Sequence, residues 1–416
     1  MQRAPRRFPR ALILLLGLLG VAARATAQDY YWETPRALVE GSGRFPTALS
    51  SSGGVLVVWQ ESEPVPGGDA GRAWLSLARL SGGSWETRRR FAGPYEFRGS
   101  EPLLYSASSE DGQVAIAAAA GDGAIEVLLS RDGGVSFERT ERPAPSAAAV
   151  APRVFPSALG GWLLFATQGE ADSLSLFYAT SRDGSSWSPF APFVGAGDGL
   201  ALNFLPTAAR SRDSGGPVDV VVFQSLLPGA RRSFQLFSKV SRDGGATWSA
   251  ARRVTDFPDP VVRERNEADN FDNQRPFLAE AAGKLWLAWE RATLLGQPQV
   301  YAMTLDPSGA AQAVTADRVS SGAGSCSAPQ VLELDGRPAV VWFDNRRGGN
   351  RVYLVARKGL DWPESELSGS RGDASFGRIA VSDGKPYVFW QSTEARRDRI
   401  LALEPDTSVA PPALER

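Results

Sequence analysis

The sequence predicts an all-β protein built as one ring of seven four-stranded blades, and three observations carry that expectation. The 416 residues include 43 Gly and 29 Pro and are 10% aromatic, a composition of many short strands divided by turns. A strand–turn–strand unit then recurs seven times: RFPTALSSSGGVLVVWQE from Arg44, EPLLYSASSEDGQVAIAAA from Glu101, VFPSALGGWLLFATQ from Val154, FLPTAARSRDSGGPVDVVVFQ from Phe204, QRPFLAEAAGKLWLAWER from Gln274, SAPQVLELDGRPAVVWFDN from Ser327 and FGRIAVSDGKPYVFWQS from Phe376. Finally, each unit runs on into a third strand and a hairpin. The marker residues Pro46, Pro102, Pro156, Pro206, Pro276, Pro329 and Gly377 fall roughly 50 to 70 residues apart, the length of a four-stranded blade.

In chain order, residues 1–27 have the pattern of a secretory leader. Arg3, Arg6, Arg7 and Arg10 precede an apolar run from Ala11 to Ala23, and Ala25-Thr26-Ala27 supplies small residues for cleavage. A run of about 13 residues is short of the roughly 20 that span a bilayer. The expectation is an exported chain, periplasmic or extracellular, with no membrane span after cleavage and one propeller domain over 28–416. Near the new N-terminus, Trp32-Glu33-Thr34-Pro35-Arg36-Ala37 resembles Trp248-Ser249-Ala250-Ala251-Arg252-Arg253, an outer strand of the fourth unit. The seventh unit lacks an evident fourth strand after RILALEPD, so the N-terminal segment is expected to complete it and close the ring.

Between the fourth and fifth units the segment Asp256 to Asn273 is an insertion, expected to overhang one mouth of the ring. Its Asp269, Asn270, Asp272 and Asn273 offer oxygens, but not at the spacing of a calcium loop, and the reading is a solvated loop with no metal and no cofactor.

Composition excludes several functions. With no histidine, a Ser-His-Asp triad and a His-ligated metal are impossible. Lys+Arg 45 against Asp+Glu 46 leaves nothing to neutralise a phosphate backbone, so nucleic acid is not an expected partner. The single cysteine, Cys326, forms no internal disulfide and reads as a small buried side chain. The expected state is a monomer.

The hairpins carry a further pattern: Ser130-Arg131-Asp132-Gly133-Gly134-Val135-Ser136-Phe137, Ser181-Arg182-Asp183-Gly184-Ser185-Ser186-Trp187 and Ser241-Arg242-Asp243-Gly244-Gly245-Ala246-Thr247-Trp248. They resemble the Asp box, or BNR repeat, of the sialidase-like propellers. The box residues Ser130, Asp132, Gly134, Phe137, Ser181, Asp183, Trp187, Ser241, Asp243, Gly245 and Trp248 read as structural: carboxylates accept turn N–H groups, glycines permit positive φ, and aromatics pack between blades. Topology puts this turn on the lower face. The upper face collects the starts of first strands and the ends of second strands.

That rule brings Arg44, Arg275 and Arg378 to first-strand starts, and Glu61, Gln224, Glu290, Arg291, Asp344, Arg346 and Gln391 to second-strand ends. Arginine forks pair well with a carboxylate, so Arg44, Arg275 and Arg378 are the candidate ligand-binding residues and an acidic sugar a candidate ligand. Arg44-Phe45-Pro46 is similar to the sialidase Arg-Ile-Pro motif, which implies that Arg44 holds a substrate carboxylate. The resemblance also implies a six-bladed ring as the alternative fold, and a Tyr nucleophile paired with Glu. No inner strand opens with such a Tyr, the sixth unit opening with Ser325-Cys326-Ser327, and Tyr105 reads as a packed strand residue. The candidate catalytic carboxylates are Glu61, Glu290 and Asp344. Three functions stay open: recognition of a glycan or protein without catalysis, a sialidase-like glycoside hydrolase, and an envelope assembly factor.

Overall fold

The computed structural model of the chain describes residues 30–406 and 408, apart from 52–53, 65–69, 99–100, 121–122, 141–148, 170–173, 227–232, 257–270, 294–295, 314 and 370. The proposed leader and most of the Asp256–Asn273 insertion lie outside the described residues. Seven four-stranded antiparallel sheets form the molecule, so the ring has seven blades and not six. Their innermost strands are Gly43–Ser51, Tyr105–Glu110, Ala149–Pro156, Ala201–Asp213, Phe271–Ala281, Cys326–Leu334 and Asp373–Ser382. Each second strand is an apolar run buried on both faces, as between two packed blades: Val55 to Trp59, Val114 to Ala118 and Leu163 to Ala166 are fully buried.

Ring closure follows the expected plan. The strand that completes blade 7 is Arg36–Val39, paired with Arg397–Leu403 through Arg36↔Ala402 and Ala37↔Leu401. Arg36 and Ala37 stand where Arg252 and Arg253 form the outer strand of blade 4, and Trp32, like Trp248, precedes that strand by four residues, with an isolated bridge to Pro405.

The blades lock through two recurring devices. At one position of the second strand stand Trp59, Trp289, Trp342 and Trp390, all nearly inaccessible, with Phe223 at the matching place in blade 4. Each packs between its own blade and the preceding one, as Trp342 does in the cluster joining Trp286 and Ala288 to Val340. In six blades the first strand also carries one extra residue just inside its start, for example between Arg44 and Thr47, and between Ser375 and Arg378. A residue in the left-handed region sits at each bulge: Phe45, Ala151, Leu205, Arg275, Ala328 and Phe376, with φ from 48 to 55°. That conformation is strained for non-glycine residues, by about 1 kcal/mol each. Cross-blade hydrogen bonds offset it. The Phe45 N–H donates to Gln391 Oε1 at 3.2 Å, the Arg275 N–H to Gln224 Oε1 at 3.1 Å and the Ala328 N–H to Glu290 Oε1 at 2.8 Å.

At the opposite, lower end the three hairpins hold themselves rigid. Asp243 accepts the Thr247 N–H at 2.8 Å and its hydroxyl at 2.5 Å, while Ser241 Oγ receives the Gly245 N–H at 2.8 Å. Asp132 and Ser130 repeat this arrangement on Ser136 and Gly134. In the shorter hairpin, Asp183 Oδ1 takes the N–H groups of Ser185 and Ser186. The aromatics turn back onto the preceding blade: Trp248 lies 4.9 Å from Phe193, Phe137 lies 5.2 Å from Phe91, and Trp187 joins the cluster of blades 2 and 3.

Candidate functional site

The upper mouth collects the residues that the topology placed there, but it pairs most of them with one another. Arg44 donates Nε to Asp398 at 2.6 Å and a second nitrogen to Glu101, so this guanidinium, 41% exposed, braces blade 7 against the approach to blade 2. Arg275, 51% exposed, donates to Glu290 Oε2 at 2.7 Å. Neither reaches the mouth as a free cation.

Arg378 differs. Sequence position puts it at a strand start, whereas it stands just past the bulge and is largely buried, donating to the backbone carbonyls of Gly377 at 2.8 Å and Ala328 at 3.2 Å. Among the described residues it meets no carboxylate.

The candidate carboxylates are similarly committed. Glu61 is fully buried and receives Ser76 Oγ at 2.7 Å, Arg89 at 2.6 and 3.0 Å, and Trp59 Nε1 at 3.4 Å. Burial works against its charge, yet the hydrogen bonds from Arg89 and Ser76 prevail and hold the carboxyl at about 2. Glu290 divides its oxygens between Arg275 and the Ser327–Ala328 turn of blade 6. Asp344, also fully buried, accepts Trp342 Nε1 at 3.1 Å and is forked by Arg346, which reaches on to Glu364.

The other members of the group are clamps too. Gln224 and Gln391 hold neighbouring bulges, and Arg291 lies buried 4.0 Å above Phe271. Cys326 sits beneath Asp344 with its thiol pushed up, chiefly by burial, to about 11, which makes it inert at neutral pH. In the insertion, Asp269 and Asn270 lie outside the described residues. Asp272 is taken by the Phe234 N–H and Gln274, and Asn273 by Trp289 and Gln235.

Tyr105 is fully buried at the start of its strand, with its hydroxyl 2.6 Å from the Phe45 carbonyl and 2.7 Å from that of Val58. Burial raises its pKa further. A phenol that is hard to ionise and aimed at backbone oxygens is a structural group, not a nucleophile.

One apolar feature of the mouth was not visible in the sequence. Phe45 and Phe376, left-handed residues on adjacent blades, meet edge to face at 5.0 Å, and Phe343 adds a third ring 5.4 Å from Phe376. All three stay partly exposed beside Arg44. Their pairing depends on both bulges, and only an alignment of repeat against repeat superposes Phe45 on Phe376.

No family model matches the chain, and no curated protein matches it in sequence. Solved structures do. The chain is similar to the polysaccharide lyase Uly1, at 11% identity and a TM-score of 0.56 over 90% of this chain and 99% of that one. It is also similar to an ulvan lyase bound to a GlcA-containing saccharide, at 11% identity and a TM-score of 0.57 over 89% and 95%. Trypanosoma rangeli sialidase matches at 11% identity and a TM-score of 0.46, over 89% of this chain and 56% of that one. Among the described residues no helix is long and apolar enough to cross a membrane. The chain has a seven-bladed β-propeller fold and is similar in fold to these two polysaccharide lyases.

Proposed function

We propose that the chain is an exported propeller that recognises a glycan on its upper face without catalysis. One observation carries the reading: Glu61, Glu290 and Asp344 are each engaged by protein donors, so none is poised as acid, base or nucleophile. A glycosidase needs one carboxyl that exchanges a proton near working pH and a second group free to attack. Glu61, held at about 2, is poorly suited to be the acid.

The partly exposed rings of Phe45, Phe343 and Phe376 suit the apolar face of a sugar. The glycan-acting structural neighbours support the ligand class. Equilibrium binding of the purified chain, lacking residues 1–27, to a panel of neutral and acidic oligosaccharides tests the reading. Binding weakened by Phe376→Ala supports it, whereas binding to no saccharide by folded protein contradicts it.

A further inference from the structure

The repeats place equivalent residues on one level of the ring. The residue just after each bulge pairs with the second strand one position before the Trp site: Arg153 opposite Phe165, and Arg378 opposite Phe389. Ser106, opposite Ala117, occupies that place in blade 2, with Tyr105 one residue before it. Other members of the level turn into the gaps between blades, as Gln330 does toward the Ile379 backbone and Thr207 toward the Leu278 N–H.

The two arginines do otherwise. Blades 3 and 7 are separated by two blades on one side and three on the other, so their side chains approach each other only across the central channel. They do approach: each guanidinium feels the Tyr105 hydroxyl, and Arg378 also feels Arg153. Both are crowded by protein on every side and yet keep some accessible surface, as groups lining an internal channel do. Burial is the main influence on both and lowers each to about 10, which leaves both cationic at neutral pH.

Their hydrogen bonding is incomplete. Arg153 donates to the Pro152 carbonyl at 3.3 Å, and Arg378 to the carbonyls of Gly377 and Ala328. Each guanidinium has five N–H donors, and among the described residues neither faces a carboxylate. Two like charges without a counter-ion are unfavourable inside a protein, whereas two planar forks across a channel suit one oxyanion.

We propose that Arg153 and Arg378 form an oxyanion site in the central channel, below the upper mouth. It takes a carboxylate, sulfate or phosphate group, either as a free ion or carried on a sugar that enters from above. Tyr105, fully buried and tied to backbone carbonyls, lies behind the two guanidiniums and reacts with nothing. The site requires no glycan on the rim and stands independently of that reading.

Titration calorimetry with inorganic sulfate, and separately with glucuronate, at constant ionic strength tests it. The expected result is saturable 1:1 binding of at least one of them, weakened roughly tenfold to a hundredfold by R153M or R378M through lost charge-assisted hydrogen bonds. R182A, which removes an exposed charge on the lower face, leaves binding unchanged. Preference for sulfate marks a free ion, and preference for glucuronate marks a sugar-borne group. Crystals of the unaltered protein soaked in selenate should show the anion between the two guanidiniums, a readout that needs no variant to fold. The proposal is overturned if neither anion binds, if R153M and R378M bind like the unaltered chain, or if selenate is absent from the channel.

Discussion

Glu290 Oε1 accepts the backbone N–H of Ala328 at 2.8 Å, tying the fifth blade to the sixth at the point where the Ala328 backbone turns left-handed. Gln224 performs the same task for Arg275, and Gln391 for Phe45. A carboxylate in a place that amides fill elsewhere in the ring is most simply a clamp, and its second oxygen serves Arg275.

Glu290→Gln should therefore be mild. The amide oxygen keeps the Ala328 bond, so the stability change stays within about 1 kcal/mol, whereas Glu290→Ala leaves a partly buried N–H unpaired and costs about 1 to 3 kcal/mol. Urea denaturation of the two variants checks this. Equal losses would show that charge, not the N–H bond, matters at this position.

Acid should weaken the first blade through Glu61. Its carboxyl ordinarily titrates at 4.5 and in the fold at about 2, so the folded state binds its proton less readily than the unfolded state. The resulting stabilisation is present above about pH 4.5 and is lost as pH falls toward 2. It is moderated because its partner Arg89 is half exposed. Glu61→Gln should flatten that part of the stability–pH curve, as measured by denaturant melts from pH 2 to 6, and an unchanged slope would assign it to other carboxyls.

The lower-face hairpins should matter for stability alone. Asp243→Ala frees the Thr247 N–H and its hydroxyl and should cost about 1 to 2 kcal/mol without altering any ligand affinity. Thermal melts paired with binding isotherms separate the two effects. A selective loss of binding would place function on the lower face.

Closure of the ring should be a large term. Val39 is buried against Ile400 and Phe389, and Arg36–Val39 supplies the outer strand of the last blade. Removing residues 28–40 strips that strand and should lower the melting temperature by roughly ten degrees or more, given several kcal/mol of lost packing and strand pairing. A melt unchanged by the deletion would mean that the N-terminal strand closes nothing of consequence.

The seven blades were legible because the strand–turn–strand unit recurs seven times, with Pro46, Pro206, Pro276 and Pro329 at one bulge and Trp59, Trp289, Trp342 and Trp390 at one position of the second strand, although in the third blade the proline at the bulge is Pro152 and not Pro156. The closing strand was legible too: Trp32 resembles Trp248, and the pairing of Arg36 and Ala37 falls where Arg252 and Arg253 pair in the fourth blade. Which charges are free was not legible at all. Arg44 and Arg275 looked like open cations until Asp398, Glu101 and Glu290 came within reach through contacts far apart in sequence. Arg153 stands just before the third repeat as it begins at Val154, and nothing in its neighbours marks it. Superposing the residue that follows Pro152 on the one that follows Gly377 would have set it beside Arg378.

The most direct measurement incubates the purified chain with acidic oligosaccharides, including a fluorogenic sialoside, and follows binding and product release in the same samples. The account predicts binding without product, unaltered in kind by Glu290→Gln or Asp344→Asn. Product release that disappears in either variant would contradict it and make those carboxylates catalytic.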